Sequence, residues 1–295
     1  MNILVTGGAG FIGRHLVSSI LEKHQVTIYD NLSNSSKEKI TPLIDKVRFI
    51  KGDILDFEKL LESSIGIDVV IHLAAKSDVS DSIINPEITN NTNVNGTINV
   101  LKCCVQNKIK KIIFASSAAV YGDCKLPITE KSKIEPLSPY GKSKLDAEEQ
   151  IRKLAVGFDA IILRLFNVYG IGQNEKYSGV ISKFLKNISE NKPLIIYGDG
   201  KQTRDFVSIY DVVDAFSCAI SSNHSDTYNI ASGISISVND LAKMMLDVSG
   251  KNLGVIYKKE KTGEIKNSVA DVTLAEKNLG FYAKKTLKEE LFKLC

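Results

Sequence analysis

Long apolar runs are absent from this sequence. No stretch of the 295 residues approaches the roughly 20 apolar residues that a membrane-spanning helix requires. The first residues, Met1 to Val5, lead directly into a glycine-rich turn, with neither the basic segment nor the cleavage site of a secretory signal. We therefore expect a cytoplasmic protein that does not associate with a membrane.

Metal-binding patterns are also lacking. The four histidines are scattered, and the five cysteines, which include the adjacent Cys103 and Cys104, show no CxxC or Cys/His ligand spacing. The cysteines are predicted to be free thiols in a reducing compartment, and no metal site is expected.

Charge of one sign is not concentrated anywhere in the chain. The net charge of +4 comes from scattered lysines, which is too mild to indicate nucleic-acid binding but suits an anionic substrate. Hydrophobic residues at 43% and charged residues at 24% are typical of a globular protein with one or two domains.

Short apolar segments alternate with helical segments through the first half of the chain. Repeated β-α units with nearly continuous apolar strands indicate a parallel sheet covered on both faces. The fold class predicted is therefore α/β, with a Rossmann-type doubly wound sheet. Strands are predicted at 2–6, 26–29, 47–50, 68–72, 111–115 and 160–165, and helices at 11–23, 87–107 and 143–155.

Beyond residue 165 turn residues dominate, and predicted helices at 181–189 and 238–248 alternate with short strands. This pattern predicts a smaller C-terminal lobe over 166–295, following a first domain over 1–165. Segments near 207–230 are expected to return to the first domain, so that the two parts interleave.

Three glycines follow the first predicted strand and open the first predicted helix. Gly7, Gly10 and Gly13 allow a tight turn and a close approach of the backbone to a pyrophosphate, and a helix N-terminus offers free N–H groups to the anion. Phe11 and Ile12 complete this GxxGxxG segment. Its position between a strand and a helix predicts a dinucleotide site.

Asp30 ends the second predicted strand, 17 residues beyond Gly13. A carboxylate there accepts hydrogen bonds from the adenosine ribose hydroxyls and repels a 2′-phosphate. No arginine follows that would hold such a phosphate, so the cofactor predicted is NAD and the first domain is expected to bind it. The residues that complete this part of the cofactor site are Asn31, Ser33, Asn34 and Ser35.

Further cofactor contacts are predicted where the next strands end. Asp53 is expected either to face the adenine amino group or to cap the helix at 57–61, since both roles suit its place. His72 is predicted to be a packed residue rather than a catalyst. The remaining residues expected along the cofactor are Ile54, Leu73, Ala74, Ala75 and Ala115.

Tyr140 and Lys144 lie one helical turn apart on the same face. A phenol is a poor base at neutral pH, but a nearby ammonium and a positive nicotinamide both favour its ionised form. Ser117 closes the fifth predicted strand, at the carboxyl edge where ligands of such sheets bind. These three residues are the predicted catalytic group.

Many segments of the chain resemble the extended short-chain dehydrogenase/reductase family, and within it the UDP-glucose 4-epimerases. The matching segments run from Thr6 to Val212, with a weaker match at 263–271. They are TGGAGFIG, YDNLSNSS, GDI, HLAA, NVNGT, SSAAVYGD, SPYGKSK, LRLFNVYG, GDGKQTRDFVSIYDV and GEIKNSVAD.

The resemblance implies an NAD-dependent nucleotide-sugar epimerase whose smaller lobe binds the UDP-sugar. It implies that Tyr140 is the base, that Lys144 holds the nicotinamide ribose and that Asn95 supports that lysine. Where Lys261 stands the family often has an arginine, and lysine lacks its bidentate fork. The substrate-binding residues that it implies, besides Ser117 and Tyr140, are Ser77, Asn167, Gly179, Val180, Tyr197, Arg204, Lys261, Glu264 and Ser268.

The implied reaction inverts C4 of the sugar through a transient 4-keto intermediate. A 4,6-dehydratase or a decarboxylase on the same fold is the alternative, but Ala118 and Ala119 stand where such relatives carry acidic groups. A silent NAD-sensing regulator is a second alternative, although such proteins typically lose the tyrosine or the lysine. Ser268 matches a position where small residues admit N-acetyl sugars, so UDP-GlcNAc and UDP-GalNAc are expected besides UDP-Glc and UDP-Gal.

The resemblance also implies a homodimer, formed by two helices from each subunit. In the helix predicted at 87–107, Ile98, Leu101 and Val105 share one stripe. From periodicity alone this stripe can equally pack inward.

Overall fold

The computed structural model describes residues 1–173, 179–260 and 265–295. Its central element is a seven-stranded sheet in which every pair is parallel, in the order β10-β6-β5-β4-β1-β2-β3. The strands of the described chain are β1 Asn2–Thr6, β2 Gln25–Asp30, β3 Arg48–Lys51, β4 Val69–His72, β5 Lys111–Ser117, β6 Asp159–Leu165, β7 Asn167–Tyr169, β8 Leu194–Tyr197, β9 Thr203–Ser208, β10 Thr227–Ile230, β11 Ser235–Ser237 and β12 Val255–Lys258.

Helices cover both faces of this sheet, and the predicted doubly wound α/β fold is confirmed. The α-helices are α1 Phe11–Ile20, α2 Phe57–Ser63, α3 Val79–Ile84, α4 Pro86–Asn90, α5 Gly96–Gln106, α6 Pro139–Leu154, α7 Val180–Ser189, α8 Ile209–Ser221, α9 Val238–Ser249 and α10 Leu287–Leu294. Helical turns of other types lie at Lys37–Lys46, Asn91–Asn95, Ala118–Val120 and Ala275–Leu279.

Alternation along β1 shows how the two faces are filled. Ile3 and Val5 belong to a core with α1 and α8, whereas Leu4 belongs to a second core with α2, α5 and α6. Both faces of the strand are therefore buried, as expected for a parallel sheet between two helical layers.

The C-terminal part of the chain forms a smaller structure beside the sheet. A three-stranded sheet of order β11-β9-β7 and the parallel pair β8 and β12 accompany α7, α9 and α10, which share a separate core. From the same stretch of sequence, β10 joins the large sheet beside β6, and α8 packs against α1. The domain boundary at residue 165 stays a prediction.

Two predicted helices differ from the structure in ways that affect the site. The helix predicted at 87–107 consists of α4, a π-helical turn at Asn91–Asn95 and α5. The helix predicted at 143–155 begins earlier, at Pro139, because the Ser138 side chain accepts a hydrogen bond from the Gly141 N–H (3.1 Å) and proline suits the first helical position. Tyr140 therefore lies in the first turn of α6.

Candidate active site

The glycine turn after β1 is packed so closely against neighbouring backbone that side chains do not fit there. Gly7 has a φ of +71°, and a Cβ there would lie 2.6 Å from the Ala74 nitrogen. A Cβ on Gly13 would collide with the Gly7 carbonyl oxygen. No side chain of the described residues caps α1, whose first N–H groups are available to an anion. This arrangement fits the pyrophosphate of a dinucleotide.

Asp30 lies beside this turn with only 8% of its surface exposed. Its carboxylate accepts hydrogen bonds from the Ala9 N–H (3.0 Å) and the Leu32 N–H (2.8 Å). Ser35 donates to the Ala9 carbonyl oxygen (2.5 Å), and Ser33 donates its N–H to the Asn31 side chain (2.9 Å). The carboxylate predicted to bind the ribose is thus fixed at the rim of the glycine turn, and burial raises its pKa.

Asp53 is joined to the same loop. Its carboxylate accepts hydrogen bonds from the Asn31 amide (2.8 Å) and the Leu55 N–H (2.9 Å). The cap of α2 is Asp56, which accepts the Lys59 N–H (3.2 Å), so the capping alternative for Asp53 is wrong. Ile54 is buried, and its side chain fills the space next to Gly96.

The end of β4 is packed as predicted. His72 is 1% exposed and hydrogen-bonds to Thr6 (2.7 Å) and Thr97 (3.0 Å) through its two ring nitrogens. Burial and the charge of Lys144 lower its pKa to about 3, so the ring is neutral. Leu73, Ala74 and Ala75 follow it as partly buried residues.

The prediction that Asn95 supports the catalytic lysine is wrong. Its side chain is exposed and donates to Asn91 (2.8 Å). Asn93, in the same turn, is buried. Its amide oxygen accepts a hydrogen bond from the Lys76 N–H (2.7 Å), and its amide nitrogen donates to the Lys76 carbonyl oxygen (2.9 Å) and the Ser143 hydroxyl (2.9 Å). The π-helical turn presents Asn93, not Asn95, to α6.

The three predicted catalytic residues meet between β5 and α6. The Ser117 side chain interacts with that of Tyr140 and lowers its pKa, and it accepts a hydrogen bond from the Ala119 N–H (3.1 Å). The Lys144 ammonium is 3% exposed, donates to the Ala115 carbonyl oxygen (2.8 Å) and lies 4.7 Å from the centre of the Phe114 ring. Ala115 is therefore tied to the lysine that the sequence placed at the cofactor ribose.

Burial controls the protonation of this group in the protein alone. It raises the pKa of Tyr140, an effect that the hydrogen bond with Ser117 partly offsets. It also lowers the pKa of Lys144 to about 7, against an opposing attraction from Glu148. The positive nicotinamide of bound NAD would favour the Tyr140 phenolate, which the protein by itself disfavours.

Three of the predicted substrate residues lie in segments next to Asp205. This carboxylate is fully buried and accepts hydrogen bonds from Ser232 (N–H 2.8 Å, hydroxyl 2.7 Å), Gly233 (3.0 Å) and the Ala270 N–H (3.1 Å). Asn167 donates to its carbonyl oxygen (3.0 Å). Arg204 precedes it on β9, and Ser268, which is 6% exposed, lies two residues before Ala270.

Comparisons with known proteins identify the family of the chain. The model of the NAD dependent epimerase/dehydratase family matches residues 3–231. The chain belongs to this family. It is thus an NAD-dependent enzyme, and the epimerase resemblance is confirmed.

Relatives align over almost the whole chain. The UDP-glucose 4-epimerase of Yersinia enterocolitica is 35% identical, covering 99% of this chain and 95% of its own length. Two solved structures superpose with a TM-score of 0.95 and cover 99% of this chain and 96% of theirs. They are the UDP-N-acetylglucosamine 4-epimerase of Methanobrevibacter ruminantium in complex with UDP-N-acetylmuramic acid (35% identical) and the Thermotoga maritima UDP-glucose 4-epimerase with UDP-glucose (34% identical).

The other predicted substrate residues of this family member lie in separate elements, and their roles stay predictions. Gly179 precedes α7 with open space at its Cα, Val180 begins that helix, and Tyr197 ends β8. Ser77 is exposed in the segment before α3. Lys261 and Glu264 lie outside the described residues, and their assignments stay predictions.

Three functional candidates of this family member were missed by sequence reasoning. Asn93 stands two residues from the asparagine that was chosen, and Asp205 directly follows the predicted Arg204. Glu148 lies one turn beyond Lys144, a spacing that could have revealed it. Among the described residues there is no cluster of His, Cys, Asp and Glu that could hold a metal ion. In the same part of the chain, no helix is long and apolar enough to cross a membrane.

Proposed function

We propose that the protein catalyses the reversible C4 epimerisation of a UDP-sugar, with UDP-Glc and UDP-Gal as one substrate pair. The observation that carries this proposal is the interaction of Ser117 with Tyr140, one helical turn from the buried Lys144, at the same carboxyl edge of the parallel sheet as the glycine turn. Its relatives named UDP-glucose 4-epimerase support the same reaction.

In the proposed mechanism, Tyr140 removes the proton of the sugar 4-hydroxyl, and Ser117 orients that hydroxyl by hydrogen bonding. The glycine turn would hold NAD, which would supply reversible hydride acceptance at C4. The 4-keto sugar turns over while its diphosphate is held by Asn167 and Arg204, and Tyr140 then donates the proton back. Lys144 orients the cofactor ribose and favours the phenolate.

The alternative of a 4,6-dehydratase or a decarboxylase is less well supported. Either reaction needs an additional acid–base group next to the strand-end serine. Ala118 and Ala119 occupy that place in a short turn after β5, and neither side chain can transfer a proton. A silent NAD sensor is disfavoured because such proteins typically lose the tyrosine or the lysine, and Tyr140 and Lys144 are both present.

The proposal extends to UDP-GlcNAc and UDP-GalNAc. Ser268 is a small buried residue in the segment that Asp205 holds, and its side chain takes up less space than a tyrosine, as acceptance of an N-acetyl group requires. The similar Methanobrevibacter ruminantium structure is named a UDP-N-acetylglucosamine 4-epimerase.

A homodimer in the cytoplasm completes the proposal. Leu101 is fully buried in the subunit core, so the stripe of α5 does not face outward as a whole, whereas Val105 is 55% exposed. Ile84 and Ile88, at the start of the same helical region, are 76% and 55% exposed. These apolar side chains support a contact with a second copy, and the five free cysteines suit a reducing compartment.

The test is to incubate purified protein with UDP-galactose and with UDP-GalNAc, without added NAD, and to follow C4 stereochemistry by NMR. We expect UDP-glucose and UDP-GlcNAc to form, because the cofactor is regenerated in each cycle and need not leave. A Tyr140→Phe variant is the matched control, since it removes only the hydroxyl. Absence of C4 inversion by folded protein, even with NAD supplied, would exclude this function.

A further inference from the structure

Three consecutive residues at the end of β5 each bond a different residue of α6. The Ala115 carbonyl oxygen accepts a hydrogen bond from the Lys144 ammonium (2.8 Å), and the Ser116 hydroxyl donates one to the Glu148 carboxylate (2.5 Å). The side chain of Ser117 interacts with that of Tyr140. Tyr140, Lys144 and Glu148 are spaced by four residues and form one stripe along the helix. Two members of this stripe serve the proposed reaction, and the third has no assigned role.

Glu148 is held from two further directions. Its carboxylate is fully buried and forms a bidentate ion pair with Arg164 of β6, with contacts of 2.9 and 2.6 Å. Arg152, on the next turn of α6, binds the second oxygen (2.7 Å). Arg164 also donates to the Tyr121 hydroxyl (2.9 Å), which in turn donates to Asn229 of β10 (2.6 Å). The carboxylate therefore joins α6 to three neighbouring strands.

We propose that Glu148 is a positioning residue for the epimerisation. Its carboxylate fixes the end of β5 against α6. This contact keeps the Ser117 side chain next to that of Tyr140 and keeps the Lys144 ammonium at the Ala115 carbonyl oxygen. This inference rests on the proposed function, because Ser117, Tyr140 and Lys144 matter for catalysis only if that reaction takes place.

The charge of Glu148 supports this role. Lys144 has Glu148 on its own helix and the neutral His72 on β4 as titratable neighbours, while Arg164 and Glu130 lie further along the network. Because Glu148 is the negative group acting on Lys144, it raises the pKa that burial lowers. Without this carboxylate a smaller fraction of Lys144 is protonated at any given pH.

Three variants test the proposal. Glu148→Gln keeps the shape and removes the charge, but it leaves the buried Arg164 unpaired and should lower the melting temperature. Glu148→Gln/Arg164→Gln removes both charges and should recover much of that loss. Glu149→Gln, at the adjacent exposed position of α6, is the matched control for loss of one carboxylate.

We expect kcat to fall at least tenfold in Glu148→Gln, with KM for UDP-galactose changed less than threefold. The alkaline limb of its pH profile should move to lower pH. The double variant should keep the low kcat although its melting temperature recovers. The alkaline limb of its pH profile should also move to lower pH, by less than in Glu148→Gln. Recovery of kcat together with the melting temperature, or a profile of Glu148→Gln that matches Glu149→Gln, would overturn the proposal.

A second measurement needs no turnover. The 13C chemical shift of the Lys144 side chain, assigned by a Lys144→Arg variant in lysine-labelled protein, should titrate at lower pH in both Glu148 variants. An unchanged Lys144 titration would refute the proposal. If the wild type instead inverts no UDP-sugar, the proposed function fails, and this titration still decides whether Glu148 acts on Lys144.

Discussion

At the scale of single residues, Ser268 carries the sharpest specificity prediction. Replacing this buried serine by tyrosine adds a large ring to a segment held in place by the bond between Ala270 and Asp205 (3.1 Å). We expect Ser268→Tyr to abolish turnover of UDP-GalNAc first, with at least a tenfold larger loss of kcat/KM than for UDP-galactose, because the N-acetyl group needs the larger space.

The assay compares the two sugars with the same preparation of enzyme. Ser268→Ala is the control and should keep both activities, since it preserves the small volume. Equal losses on the two sugars in Ser268→Tyr would show that the residue does not discriminate at the 2-substituent.

Single residues also show which part of the site sequence reasoning can reach. The spacing of Tyr140 and Lys144 and the glycine turn are local patterns, and the structure brings these residues to adjoining places at the sheet edge. Asn93 was missed because residues two apart on a helix face different sides, and the π-helical turn at Asn91–Asn95 changes the register that periodicity assumes. The pair of Glu148 and Arg164 joins a helix to a strand, and no local spacing reveals it.

At the scale of elements, Lys111 secures the end of α8. Its buried ammonium donates to the carbonyl oxygens of Ile220 (2.9 Å) and Ser222 (2.5 Å), with a longer contact to Ala219 (3.5 Å). These carbonyl groups end a helix and lack partners within it, and a cation there also opposes the negative end of the helix dipole. Lys111 thereby links β5 to the helix on the opposite side of the strand from α6.

We expect Lys111→Met to lower the free energy of unfolding by about 1–3 kcal/mol, because buried carbonyl groups lose their donor. Urea unfolding followed by circular dichroism measures this change. Lys110→Met is the matched control, since Lys110 is 81% exposed and only 3.7 Å from Asp68 in a surface ion pair. A loss in Lys111→Met no larger than in Lys110→Met would contradict the capping role.

The elements themselves were predicted unevenly from sequence. Strands of the parallel sheet are buried on both faces, so their apolar runs were visible, and six of the seven were predicted with small differences at their ends. The 3-residue strands β7 and β11 are too short to show a period, and their pairing with β9 depends on contacts such as those of Asp205. Where tertiary contacts define an element, its sequence carries little signal.

At the scale of the whole molecule, the buried His72 at the centre of the sheet makes the free energy of unfolding depend on pH. His72 lies between Thr6 of β1 and Thr97 of α5, and Lys144 packs nearby, so neither can be hydrated without opening the sheet edge. The pKa of His72 is about 3 in the folded protein and near 6.5 in the unfolded chain. The unfolded chain therefore binds one more proton between these values.

The sign of the resulting linkage follows directly. A depressed pKa gives stability that is fully present above pH 6.5 and is lost as the pH falls toward 3, with a slope of about 1.4 kcal/mol per pH unit for one group. We expect the unfolding free energy of His72→Gln to fall less steeply than that of the wild type between pH 6.5 and pH 4. The variant is less stable at neutral pH because glutamine cannot reproduce both threonine contacts.

The measurement is urea unfolding at a series of pH values, with His224→Gln as the control because His224 is exposed after α8. Burial also raises the pKa of carboxylates such as Asp30 and Asp205, but these groups are common to both proteins and cancel in the difference between wild type and variant. Parallel curves for His72→Gln and the wild type would mean that His72 has the same pKa in the folded protein as in the unfolded chain. In that case the description of His72 as a neutral, packed ring at the end of β4 would be wrong.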